Sequence, residues 1–209
     1  MTTRLIGLHG FTMNGAGLRH LLSEFEPELA RDCELVCPDA PHTAAEASVQ
    51  GITELMGGFR AKPPNLEWWN ASEDGRVYRG WDESLECIRS AAEGQQSLGL
   101  LGFSQGAAVA AAVAALASRG EFPALCFVVL IAGFAPRSDA LAPLFEPPVD
   151  VPSLHIWGEA DPFARHAPRL LEKFAPTSRE QWVWPGRHTI PSTPQARQVL
   201  LDFMQRRAV

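Results

Sequence analysis

Gly102-Phe103-Ser104-Gln105-Gly106 sets a serine between glycines two residues to either side, the pattern G-x-S-x-G. Such a serine can act as a nucleophile when it sits on a sharp turn from a strand into a helix. The turn lifts Oγ above the sheet, and the glycines remove the Cβ atoms that would collide there. The flanking residues fit that context: Leu98–Phe103 is an apolar, strand-like run, and Ala107–Ala117 is a run of small residues suited to a helix. The pattern by itself also arises by chance, so its weight depends on the partners the chain supplies.

A serine hydroxyl needs a base, and the base needs an acid to orient it, in the chain order Ser, Asp, His for this kind of turn. The histidines after Ser104 are His155, His166 and His188. His155 falls within the strand-like Leu154-His155-Ile156 and is expected to be structural, whereas His166 begins a polar helical segment and is expected at the surface. His188 follows the last strand-like run, in Trp184-Pro185-Gly186-Arg187-His188, at the kind of carboxyl edge where α/β sheets collect their sites. It is the expected base. Asp161, in Gly158-Glu159-Ala160-Asp161-Pro162, is the expected acid, with Glu159 its close competitor and capping of the next helix its alternative role.

Acyl transfer also needs donors for an oxyanion. The backbone N–H of Gln105, at the start of a helix, is one expected donor. The other is expected from His9-Gly10-Phe11-Thr12 after the first strand, with Phe11 the choice and Thr12 the second candidate. His9 is expected to support that loop.

The elements that must hold these residues are readable as an alternation. Strands are expected at Arg4–Leu8, Glu34–Cys37, Leu98–Phe103, Leu125–Ala132, Ser153–Trp157 and Glu180–Trp184. Between them Leu18, Leu21, Leu22, Phe25 and Leu29 recur at helical spacing behind a candidate N-cap, Asn14. Leu85, Ile88 and Ala92 recur likewise behind Asp82 and Glu83, and Pro194 opens a last helix carrying Val199, Leu200 and Phe203. Strands that are apolar throughout indicate a parallel sheet covered on both faces. The expectation is one domain over residues 1–209, a three-layer α/β fold on a six-stranded, mainly parallel sheet.

Pro41 to Gly80 interrupts the alternation with Gly57-Gly58, Pro63-Pro64 and Asp74-Gly75, and it carries Trp68, Trp69 and Tyr78, with Trp81 just beyond. A long irregular stretch inside a compact domain is usually functional. Two compatible readings apply: a surface insertion anchored by its tryptophans, or a lid whose Trp68 and Trp69 shape a substrate pocket.

Composition narrows the function classes. With 18 Lys and Arg against 24 Asp and Glu the formal charge is −6, the wrong sign for a duplex nucleic-acid or polybasic membrane binder. The apolar stretches Ala107–Ala117 and Phe122–Ala135 are too short to span a bilayer. From its start, Met1 and Thr2 leading into an apolar strand, no secretory signal is expected. Cys33, Cys37, Cys87 and Cys126 lack zinc-ligand spacing, so reduced thiols in the cytoplasm are expected, and no metal. Neither G-x-G-x-x-G nor G-x-x-x-x-G-K occurs, which removes the common nucleotide-binding readings of an α/β sheet.

Taken together these residues resemble the FSH-type serine hydrolases of the α/β-hydrolase superfamily, almost end to end. The likeness rests on Leu8-His9-Gly10-Phe11 with Asn14-Gly15, Ala40-Pro41-His42, Trp68-Trp69, Asp74-Gly75 and Tyr78-x-Gly80. It continues through Asp82-Glu83-Ser84-Leu85, the Ser104 motif with Ala107-Ala108, Gly133-Phe134, Pro152-Ser153-Leu154-His155-Ile156-x-Gly158, Asp161 and His188-x-x-Pro191. The resemblance implies an α/β-hydrolase fold and hydrolysis of a carboxylic ester or thioester by Ser104, Asp161 and His188. The chain departs at Arg187, where similar proteins often have a second glycine; a cation there bears on substrate charge. The expected reaction is two-step acyl transfer from a small acyl ester without cofactor. Thioester release from CoA or a carrier is the alternative, and a silent binding protein is the reading from another class.

Overall fold

The computed structural model describes residues 3–55 and 61–207; Gly57 and Gly58 of the insertion lie outside the described residues, as do Met1 and Thr2. All six expected strands form, displaced at their ends by one residue at most: β1 (Thr3–Leu8), β2 (Cys33–Val36), β3 (Leu98–Phe103), β4 (Leu125–Ile131), β5 (Ser153–Gly158) and β6 (Arg179–Trp184). They make one sheet in the order β2-β1-β3-β4-β5-β6, with every neighbouring pair parallel.

Both faces of the sheet are covered, which is why its central strands are apolar throughout. Ile6, Leu8, Leu98, Leu100, Val128 and Leu130 face one side. There they meet helices α4 (Trp81–Ala92), α5 (Gln105–Ala117) and α6 (Ala167–Leu171). On the other face Leu5, Leu101, Phe127 and Val129 meet α1 (Gly15–Leu21), α2 (Glu26–Asp32) and α7 (Pro194–Gln205). Every residue of α5 from Gln105 to Leu116 is buried, and its alanines let the helix lie close against the sheet.

The helix signals act as local physics requires. Asn14 caps α1 by accepting the Gly17 N–H at 2.8 Å, and Thr193 caps α7 by accepting the Ala196 N–H at 3.2 Å. The leucine run from Leu18 to Leu29 is divided into two helices, because Pro27 cannot continue a preceding helix yet suits the first turn of α2. The 41–80 segment contains helix α3 (Glu46–Leu55) and two short antiparallel ladders, His42–Thr43 with Leu66–Glu67 and Asn70–Ala71 with Tyr78–Arg79. Gly51, Val49, Ile52 and Thr53 are all weak helix formers, which conceals α3 in the sequence; Val49, 1% exposed, shows that packing holds it. Among the described residues no helix is long and apolar enough to cross a membrane.

Candidate active site

Ser104 sits between the end of β3 and the start of α5 with φ 54° and ψ −115°. A left-handed φ at a non-glycine residue costs on the order of 1–3 kcal/mol and persists only where the surroundings enforce it. Here the Ser104 N–H donates to the Ile131 carbonyl at 2.9 Å and the Ser104 carbonyl accepts from Ala107 at 3.0 Å. The flanking glycines are required by space: a Cβ on Gly106 would lie 2.0 Å from the Leu8 carbonyl oxygen, and one on Gly102 would lie 2.3 Å from that of Gly106.

The candidate base and acid come from loops after β6 and β5. Those loops are tied together by the Ala160 N–H donating to Gly186 O at 2.9 Å and Glu159 N–H to Trp184 O at 2.8 Å. The Ser104 hydroxyl donates to His188 Nε2 at 2.9 Å, and His188 Nδ1–H donates to Asp161 Oδ2 at 2.7 Å. The Asp161 side chain is 1% exposed, and its other oxygen accepts the Phe163 N–H at 2.7 Å. Asp161 therefore orients His188 and tethers the following turn at once. Glu159 is exposed and takes no part. Phe103 and Phe163 flank the imidazole, with ring centroids at 5.1 and 5.2 Å.

The two expected amide donors belong to Phe11 and Gln105, residues that border the same cavity as Ser104. Neither donates to an acceptor among the described residues. The second candidate, Thr12, is excluded, since its N–H donates to the Leu66 carbonyl at 2.9 Å. His9 supports this loop: its Nε2 accepts the Ala40 N–H at 3.0 Å, so Nδ1 holds the proton and donates to Gly10 O at 2.8 Å. Burial pushes its pKa down to about 4, against the pull of Gly10 and Asp39, and keeps the ring neutral.

The cavity holds about 570 Å³, and Phe11, Ile52, Trp69, Tyr78, Phe134 and Phe163 give it an apolar wall. The expectation that both tryptophans shape it needs correction. Trp68 is fully buried in the core and does not line the cavity; its Nε1 donates to the His9 carbonyl at 2.9 Å, and its own carbonyl accepts from Ser84 Oγ. Trp69 does line it, stacked on Tyr78 with centroids 4.4 Å apart. His155 is structural: it is buried, bonded to Ser153 Oγ at 3.1 Å, and edge-on to Phe174. His166, expected at the surface, is instead half-buried in the cavity wall, while Arg187 is exposed and does not border the cavity.

Two features escaped the sequence. The Gln105 side chain, buried beneath the cavity, bridges to the backbone of Trp68 and Trp69. The cavity is also bordered by Arg137, from the segment after β4, and by Arg165 and Arg169, which lie one helical turn apart. The pairing of Gln105 with a backbone some 36 residues away has no local signature.

The family description "Serine hydrolase (FSH1)" matches residues 1–200. The chain is 32% identical over 218 residues to Esterase OVCA2 of Mus musculus, covering 97% of this chain and 96% of that one. It is 30% identical over 215 residues to Esterase AAEL000016 of Aedes aegypti, covering 98% and 76%. The crystal structure of esterase PE8 superimposes with a TM-score of 0.66 over 99% of this chain and 93% of that one; at 18% identity this likeness concerns the fold, which is that of an α/β-hydrolase. With near-full-length matches in sequence and fold, and a serine hydrogen-bonded through a histidine to a buried aspartate, the chain belongs to the FSH1 serine hydrolase family and is a carboxylic-ester hydrolase by class.

Proposed function

We propose that this chain hydrolyses carboxylic esters of acyl chains through a covalent acyl-enzyme on Ser104. The observation that carries the reading is the continuous relay from Ser104 Oγ to His188 to Asp161 at 2.9 and 2.7 Å. In the first step Oγ attacks the carbonyl carbon while His188 Nε2 takes its proton, and Asp161 holds the imidazole in the required tautomer and stabilises its charged form. The amides of Phe11 and Gln105 receive the negative charge on the carbonyl oxygen, helped by the positive end of the α5 dipole. His188 returns the proton to the departing alcohol. Water, activated by the same imidazole, then attacks the ester carbonyl on Ser104 and releases the acid.

The apolar wall of Trp69, Tyr78, Ile52 and three phenylalanines supports an acyl chain as the occupant. Cys87 and Cys126 carry free thiols, which supports a reducing, cytoplasmic setting. The test is a fluorophosphonate probe together with p-nitrophenyl acyl esters. Labelling at Ser104 and hydrolysis lost in Ser104→Ala are expected. Hydrolysis that persists in Ser104→Ala would overturn the reading.

A further inference from the structure

The cavity's charge does not follow the chain's. The protein carries a formal −6, yet Arg137, Arg165 and Arg169 all border the cavity that holds Ser104. Arg137 lies beyond the end of β4, Arg165 in the single turn Ala164–His166, and Arg169 one helical turn further, in α6. All three side chains are exposed, and Arg165 and Arg169, four residues apart on a helical path, repel each other weakly. Elsewhere some arginines are ion-paired, Arg4 with Glu34, Arg76 with Asp139, Arg197 with Glu24 and Glu28, Arg206 with Glu180, while the exposed Arg31, Arg79, Arg89 and Arg187 have no such partner among the described residues. None of the three at the cavity has a carboxylate within ion-pair distance among the described residues.

Their convergence has two further supports. His166, also on the wall, has its pKa lowered by burial and then by Arg165, Arg169 and Arg137, with Asp161 opposing them, so all three cations act at one place. Arg137 is held there by the 41–80 segment: its N–H donates to the Tyr78 hydroxyl at 2.9 Å. Its guanidinium lies over Gly75, where a Cβ would come within 2.3 Å of it. The one carboxylate on the wall among the described residues is Glu67, whose pKa burial pushes up, toward the neutral form.

Resting on the acyl-transfer reading, we propose that the cavity selects esters bearing an anionic oxyacid group, carboxylate or phosphate, remote from the reacting carbonyl and held by Arg137, Arg165 and Arg169. Guanidinium groups present paired donors that match both oxyacids, and they resist deprotonation beside one another. The apolar wall accommodates the chain between the reacting carbonyl and that group.

The two sources of the anion are separable. Mono-p-nitrophenyl suberate against its methyl-capped, neutral analogue tests a carboxylate on the acyl chain. Octanoyl-CoA against S-octanoyl-N-acetylcysteamine tests phosphate on the leaving group. For at least one pair, kcat/KM is expected to favour the anionic member by about tenfold at low salt, and the preference should shrink as ionic strength rises to about 0.5 M. Arg137→Gln and the double variant Arg165→Gln/Arg169→Gln should each lower the anionic-to-neutral ratio by at least about threefold, with lysine at the same positions restoring part of it. Ratios near unity for both pairs in the wild type would overturn the proposal, as would ratios indifferent to all three arginines. Absence of hydrolysis with every ester, neutral ones included, would instead overturn the acyl-transfer reading and this inference with it.

Discussion

Gln105 and Trp68 are joined by a hydrogen bond in which the Gln105 Oε1 accepts the Trp68 N–H at 2.9 Å. Its Nε2 completes the clamp by donating to the Trp69 carbonyl at 3.0 Å. The residue after the candidate nucleophile thus does two things: it borders the cavity, and its side chain fixes the segment that carries Trp69 of the cavity wall. Replacing Gln105 by leucine should therefore affect both stability and activity. Two buried backbone groups would lose their partners, at about 1–3 kcal/mol each. Thermal melts and ester kinetics on Gln105→Leu should show a lowered Tm together with a reduced kcat/KM.

The three members of the relay should behave as a unit. Ser104→Ala, His188→Ala and Asp161→Asn are each expected to lower kcat by about 10⁴-fold or more while the circular dichroism spectrum is retained. Asp161→Asn is the most informative, since it keeps the shape and removes the charge that holds the imidazole tautomer. Glu159→Gln, at an exposed position, should stay within about twofold of the wild type.

The two adjacent tryptophans should separate by phenotype. Trp68→Ala opens the core and removes a donor to His9, so a destabilisation of about 3–5 kcal/mol is expected in denaturant titrations. Trp69→Ala removes part of the cavity wall. Across acetyl to decanoyl esters its kcat/KM profile should flatten or shift, because each buried methylene contributes up to about 0.8 kcal/mol. An unchanged profile in Trp69→Ala would remove this side chain from chain-length selection.

Stability should fall in acid for a reason independent of the reaction. Burial lowers the pKa of His9 to about 4 and that of His155 to about 3, from an ordinary value of 6.5. Above pH 6.5 both are neutral in either state and the native form bears no penalty. Below it the unfolded chain binds two protons that the native chain refuses, so each histidine withdraws up to about 1.4 kcal/mol per pH unit. Unfolding free energies measured from pH 7 to 4 should show this slope. In His155→Phe the slope should be shallower than in the wild type.

Much of this protein is determined by local sequence. The six strands, the buried alanine helix, the cap Asn14 and the helix opened by Pro194 are legible because each rests on composition and spacing over a dozen residues or fewer. So are Ser104, Asp161 and His188, because a strand-to-helix turn and the loops after two later strands must open on one edge of a parallel sheet. Tertiary structure decided the rest. The Thr12 amide is taken by Leu66, Trp68 turns into the core while Trp69 faces the cavity, and helix α3 forms from weak formers held by packing. Arg137 borders the same cavity as Arg165 and Arg169 although it comes from a distant part of the chain. Such outcomes depend on contacts between residues far apart in the chain, whose partners become defined only when the sheet and its crossovers close.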